Sequence, residues 1–208
     1  MGTAWDSFVE GWQNARPEET DQSDDKPASA WDSLMGTSFV PPDNSGYRGD
    51  DLVSGIVEAA DELGVDALDL ATAISYETAG TFDPTKRGPT TKWGQHQGLI
   101  QFGEPQAEQY GVDWDDPIGS QLGAQGAVVG YLRDAGVQPG MGLLDIYSAI
   151  NAGGVGRYDR SDEHAGGAPG TVRDKVENQM SGHRENAMRL LGVDTKLKRK
   201  RNSLWLDF

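Results

Sequence analysis

The sequence predicts a mainly α fold for residues 48–192. Two observations lead there. Apolar residues recur at intervals of three and four, and no stretch sustains the apolar–polar alternation of a half-buried strand. "DDLVSGIVEAADELG" puts Leu52, Ile56, Ala59, Ala60 and Leu63 at helical spacing, and Gly64 ends the run. "DALDLATAISYETAG" is a second helix that stops near Gly80. "EPQAEQYG" is a short one, with Pro105 suited to its first turn. "PIGSQLGAQGAVVGYLRDAG" reads as a longer helix carrying Leu122, Val129 and Leu132, and "GLLDIYSAINAGG" as the next. "TVRDKVENQMSGHRENAMRLLG" reads as one last helix, capped by Thr171 and ended by Gly192. Between the last two lies "AGGVGRYDRSDEHAGGAPG". It is too long and too Gly-rich for a mere connector, and such loops are functional or mobile.

Two arms flank this domain in the chain of 208 residues. Residues 1–47 hold nine acidic and two basic residues and cannot bury enough apolar surface to fold alone, which predicts a largely extended tether. Two apolar islands interrupt it, "AWDSFVEG" from Ala4 and "AWDSLMG" from Ala30, starting 26 residues apart. Trp5 and Trp31 are candidate docking anchors. A Trp seated in a partner's pocket concentrates binding energy, and two copies on one tether add avidity. The alternative, that both fold back onto this chain, leaves the repeated Asp-Ser unexplained. Residues 193–208 form a basic tail with five basic residues after Thr195, and "NSLWLDF" echoes the motif with Trp205. The tail reads as a contact for an acidic partner surface or a solvated segment, ahead of nucleic acid.

Net charge is −15, which argues against general binding to nucleic acid or to anionic membrane. There is no cysteine, so disulfides and thiolate metal sites are excluded. Nothing approaches ~18 consecutive apolar residues, so no membrane span is expected. The first residues lack the basic and apolar regions of a secretory signal, so none is expected.

One side chain of the second helix breaks its pattern. Ala67, Leu70, Ala71 and Ile74 lie at i, i+3, i+4 and i+7, and the next position on the stripe is Glu77. A carboxyl on an inward face is desolvated, which favours its protonated form. A protonated carboxyl is what a general acid requires. The competing reading puts Glu77 at a frayed helix end, reaching water or pairing with Lys86 or Arg87.

Glu77-Thr78 is followed by Gly98-Leu99-Ile100-Gln101 and then by Ala149-Ile150-Asn151-Ala152-Gly153. In this order, with helices between them, the three segments resemble the soluble lytic transglycosylase family of peptidoglycan-cleaving enzymes. That family shows Glu-Ser, Gly-Leu-Met-Gln and Ala-Tyr-Asn-Ala-Gly, and the resemblance spans roughly residues 50–192. It implies a lysozyme-like helical domain with a cleft between lobes, and Glu77 as the catalytic residue. Glu77 would protonate the oxygen linking N-acetylmuramic acid to N-acetylglucosamine, then take the proton of the muramyl C6 hydroxyl as it closes onto C1 to give a 1,6-anhydro product. No second carboxylate is needed, unlike the usual paired-acid glycosidases. Two positions depart from the family. Thr78 stands for Ser and keeps a hydroxyl; Ile150 stands for Tyr and removes a phenol, for which Tyr147 or Tyr76 could substitute. Gln101 and Asn151 are candidate sugar contacts, with the alternative that they satisfy backbone groups in tight turns. Trp93 could stack on a pyranose ring or serve as a lid over the core, and Leu99 and Phe102 read as core.

Asp83 and Glu104 are the nearest possible partner acids. Asp83, in "TFDP", reads better as a turn former before Pro84, and Glu104 as a helix N-terminal residue. If either were a partner, the enzyme would be a hydrolytic muramidase. His96, His164 and His183 share no metal-like spacing. "DRSDEH" does not match the calcium-loop pattern. No metal or cofactor is expected. The expected partners are peptidoglycan strands and, through the arms, structural proteins of a bacteriophage particle, the route by which such a domain reaches the wall. The rival expectation is an inactive lysozyme-like adaptor of a phage tail.

Overall fold

The computed structural model describes residues 49–163 and 167–193. Trp5, Trp31, Trp205 and His164 lie outside the described residues, with the whole N-terminal arm and residues 194–208 of the tail. The described chain is mainly helical, with seven helices and one two-stranded sheet.

Helix α1 (Gly49–Leu63) buries Leu52, Ile56, Ala59, Ala60 and Leu63, the stripe read from its spacing. Gly64 ends it at φ +69, where a β-carbon would stand 2.7 Å from Pro139 Cβ, so the close approach and the left-handed backbone both call for glycine. Helix α2 (Ala67–Glu77) starts on Asp66, whose carboxylate accepts from Leu68 N at 2.8 Å. Every residue from Leu70 to Glu77 is buried, because α1, α5 (Leu143–Ala152) and α7 (Ser181–Leu190) all pack on α2. Each fully buried Leu or Ile here contributes roughly 1.5–3 kcal/mol.

A turn-rich segment leads from α2 to β1 (Arg87–Thr91) and β2 (Gly94–Gln97), an antiparallel hairpin closed through Lys92 and Trp93. No strand was expected here. Neither strand buries one face, so its polar sequence carries no period-two signal. After the hairpin, Leu99 and Phe102 enter the core as expected, with Ile100. Helix α3 (Glu104–Gln109) carries Pro105 in its first turn.

The expected long helix around Leu122 is corrected. Only α4 (Ala127–Asp134) is helical, and residues 116–126 are turns and bends. Gly123 has φ +83, and a β-carbon on Gly126 would stand 2.4 Å from Leu122 O. Gln121, fully buried, replaces helical continuity: its Oε1 accepts from Leu99 N, and its Nε2 donates to Pro84 O and Pro117 O. Helix α5 ends on Gly153 at φ +70. The last expected helix is two, α6 (Val172–Asn178) and α7. Thr171 caps α6 as expected, accepting from Asp174 N at 3.1 Å. The break falls at Gln179, whose side chain accepts from Tyr76 Oη at 2.6 Å and donates to Pro169 O at 2.9 Å. Those bonds stabilise the interruption that the periodicity does not show.

Candidate functional site

Glu77 is the last residue of α2, and its side chain is 8% exposed. Leu70, Ala71 and Ile74 on the same stripe are fully buried, so the helix carries the carboxyl inward. Among the ion pairs of the described residues, neither Lys86 nor Arg87 reaches it. The Glu77 pKa is raised from 4.5 to about 8, by burial first and then by the negative Asp162, against the downward pull of Lys175 and of a hydrogen bond with Tyr147. The carboxyl is therefore mostly protonated at neutral pH.

Thr78 caps α2. Its hydroxyl donates to Ile74 O at 2.8 Å and accepts from Phe82 N at 3.0 Å, so it shapes the chain after Glu77 and is itself fully buried. Tyr76 and Tyr147 meet edge-to-face with ring centroids 5.3 Å apart. Both are almost wholly buried, which closes their faces to a sugar ring; the Tyr76 hydroxyl is spent on Gln179, and the Tyr147 hydroxyl is the one that meets Glu77. Burial, then the charge of Glu77, pushes the Tyr147 hydroxyl well up, so it stays protonated and available as a donor.

Among the described residues, three non-glycine positions have positive φ: Ala79, Phe82 and Gln101. All lie in the two turn segments that follow Glu77 in the chain. Strained backbone of this kind persists where surrounding contacts over-determine it. At Gln101 those contacts are explicit. Its Nε2 donates to Lys86 O at 3.1 Å and Gly98 O at 2.9 Å, and its backbone carbonyl meets His96 Nδ1 at 2.9 Å. The amide thus clamps the turn through its nitrogen, while its buried Oε1 has no hydrogen-bond partner. That oxygen faces Gly88, where a β-carbon would stand 1.9 Å away. Trp93 sits at the hairpin turn under the Lys92 ammonium, 5.0 Å from the ring centroid.

The two acids weighed as partners are engaged elsewhere. Asp83 Oδ1 accepts from Thr85 N and Thr85 Oγ1, both at 2.8 Å, and so forms the turn. Glu104 opens α3, and its Oε1 accepts from Gln95 N of the hairpin at 3.2 Å. The carboxylate that acts on Glu77 is Asp162, from the Gly-rich loop between α5 and α6. It pairs with Lys175, which is 1% exposed, and accepts from Asn151 Nδ2 at 2.6 Å. In the sequence "DRSDEH" shows no calcium-loop pattern, and nothing there singles out Asp162 or Lys175. The available signal was Lys175 at i+3 from Val172, on a stripe that otherwise reads apolar.

No family model, curated protein or solved structure matches the chain.

Among the described residues, no group of three or more histidine and carboxylate side chains is arranged to hold a metal ion. No described helix is long and apolar enough to cross a membrane. Asn151 of α5, Asp162 of the Gly-rich loop and Lys175 of α6 are bonded together, Tyr76 of α2 packs on Tyr147 of α5, and Glu77 feels the charges of Asp162 and Lys175. Thr78 and Gln101 belong to the turns that follow Glu77, and Trp93 to the hairpin.

Proposed function

We propose that this protein cleaves peptidoglycan as a lytic transglycosylase, on a lysozyme-like helical scaffold, with Glu77 as acid and then base. One observation carries the reading: a dry carboxyl at the end of the central helix, with its pKa raised to about 8. Such a group can donate at neutral pH and accept afterwards. In the first step Glu77 gives its proton to the oxygen joining N-acetylmuramic acid to N-acetylglucosamine, and the bond from C1 to that oxygen breaks. In the second, the muramyl C6 oxygen bonds to C1 and its proton passes to Glu77. Water is not consumed, and the acid ends as it began. The engagement of Asp83 and Glu104 in turn and hairpin contacts favours this one-acid course over a paired-acid hydrolysis.

The repeated Ala-Trp-Asp-Ser segments and the basic tail favour placement in a bacteriophage particle, where the arms dock onto structural proteins and the domain opens the wall locally during genome entry. A second reading, an inactive tail adaptor, is favoured by two features. Ile150 packs against the core where the family has a phenol, and both Gln101 amide hydrogens are spent on the backbone.

Clearing of a peptidoglycan gel by wild type and not by Glu77→Gln is the expected result. Equal clearing by both removes Glu77 from its role, and clearing by neither favours the adaptor. Mass spectrometry of the released muropeptides then separates the courses, since the anhydro product is lighter by one water than the hydrolytic one.

A further inference from the structure

We propose that His96 is a positioning residue. Fixed as its Nδ1–H tautomer, it holds the turn that carries Gln101 and ties that turn to the tip of the hairpin. The inference deepens the proposed function, and it rests on that reading for Gln101 and Trp93 as sugar contacts.

His96 stands on β2 between two oxygens of different chemistry. Its Nδ1 lies 2.9 Å from the backbone carbonyl of Gln101, and its Nε2 lies 3.0 Å from Thr91 Oγ1 of β1. A carbonyl oxygen only accepts, so Nδ1 carries the hydrogen and donates. The neutral ring then has its lone pair on Nε2, where the Thr91 hydroxyl donates to it. That hydroxyl also accepts from Trp93 N at 3.1 Å. The direction of every bond follows: Trp93 N–H to Thr91, Thr91 O–H to His96, His96 N–H to Gln101. Adding a proton to the ring reverses the Thr91 bond and leaves the Gln101 bond as it was.

The far end of this chain of bonds is where the backbone needs support. Gln101 has φ +57, a region that residues with side chains avoid, and such a conformation persists only when its surroundings fix it. The side-chain amide holds one side of the residue, donating to Lys86 O and Gly98 O. His96 holds the other through the carbonyl. The hairpin is also joined to this segment by Gln97 N, which donates to Phe102 O at 2.9 Å, and by Glu104 N, which donates to Trp93 O at 3.0 Å. Those two bonds run from backbone to backbone and need no particular side chain. The imidazole bond does, because it requires a donor at the Nδ1 position. Glycine on the facing strand leaves room for it: a β-carbon on Gly88 would stand 1.9 Å from Gln101 Oε1 and 3.7 Å from His96 Cβ. One ring thus sits between Trp93 and Gln101, the two candidate sugar contacts of this side of the molecule. Glu77 takes no part in these bonds. Losing them should therefore weaken substrate binding more than it slows the proton transfers.

The first measurement needs no substrate. Long-range proton–nitrogen NMR spectra of the full chain, with the ring neutral, should show the His96 hydrogen on Nδ1 and the lone pair on Nε2. A hydrogen on Nε2 overturns the proposal. Two variants then separate the nitrogens, because Asn places its amide where Nδ1 lies and Gln places it where Nε2 lies. His96→Asn should keep the bond to Gln101 and a KM on soluble glycan strands within about twofold of wild type. His96→Gln should raise KM roughly five- to tenfold, the worth of one hydrogen bond, with kcat little changed. It should also shift the Gln101 backbone signals, which His96→Asn should leave in place. Equal shifts in both variants, or none in His96→Gln, overturn the proposal. Should His96→Gln fail to fold, a folded His96→Asn with unshifted Gln101 signals supports the proposal, and an Asn variant that also fails overturns it. A wild type with its hydrogen on Nδ1 that clears no peptidoglycan sinks the functional reading alone. An active enzyme with that hydrogen on Nε2 sinks this one alone.

Discussion

Replacing Glu77 with Gln should stabilise the protein at neutral and alkaline pH and leave it unchanged in acid. The carboxyl moves from an ordinary 4.5 to about 8 on folding. Between those values the folded chain binds more protons than the unfolded one, so stability falls as pH rises. It is full below pH 4.5 and lost progressively up to about pH 8. At about 1.4 kcal/mol per pH unit, the interval costs the folded state about 5 kcal/mol above pH 8 and about 3 kcal/mol at pH 7. With the side chain 8% exposed, water screens little of this. Gln keeps the shape and carries no charge at any pH, so its stability should lack this slope. Urea denaturation of both proteins at about pH 4, 7 and 9 reads the difference directly. Equal stability in acid and a gap opening towards alkali is the expected pattern. A gap that does not change with pH would mean that Glu77 titrates as an ordinary surface glutamate, and the account of a dry acid would fail.

Tyr147→Phe keeps the ring packing and removes the hydroxyl that eases Glu77 ionisation, so the alkaline limb of the rate profile should move to higher pH while the thermal midpoint changes little. Gly88→Ala forces a β-carbon into Gln101 Oε1 and should lower stability by about 1–3 kcal/mol by chemical denaturation. Gln101→Glu replaces the donors that hold Lys86 O and Gly98 O with a carboxylate, and should cost about 1–3 kcal/mol and reduce clearing. Burial holds the His183 pKa below 6.5, so the unfolded chain binds the proton first. Stability should therefore fall as pH drops below 6.5, and His183→Gln should remove that part of the slope.

How far the sequence discloses this arrangement depends on whether a residue's role is local. The α1 and α2 stripes follow from helical periodicity, because one neighbouring layer suffices to bury them. Glu77 is visible for the same reason, as the polar residue on an apolar row. The role of Asp83 is local too, a side chain bonding two residues ahead. The hairpin is not legible, because "RGPTT" and "GQHQ" bury no continuous face and its turn is held partly by Glu104. The false helix before Ala127 has the right apolar spacing, but the bonds of Gln121 to Pro84, Leu99 and Pro117 decide against it, and two of them span more than twenty residues. Asp162 and Lys175 are hidden for a related reason. Each looks like an ordinary solvated charge until the loop folds the one onto the other.

These placements share a cause in the helix that carries the acid. A carboxyl on an exposed helix would be hydrated and ionised at neutral pH. Putting it on α2, enclosed by α1, α5 and α7, removes water but also removes any cheap way to compensate the charge. The observed surroundings meet that difficulty without a direct counter-ion. A cation bonded to Glu77 itself would hold it ionised and unable to donate. Instead Lys175 is neutralised by Asp162, and the pair is nearly charge-balanced beside a carboxyl that stays neutral by keeping its proton. The loss of stability on deprotonation is then the physical counterpart of the acid's readiness to take a proton back. Removing the slope and removing the activity should therefore be one event, seen in the same Glu77→Gln variant.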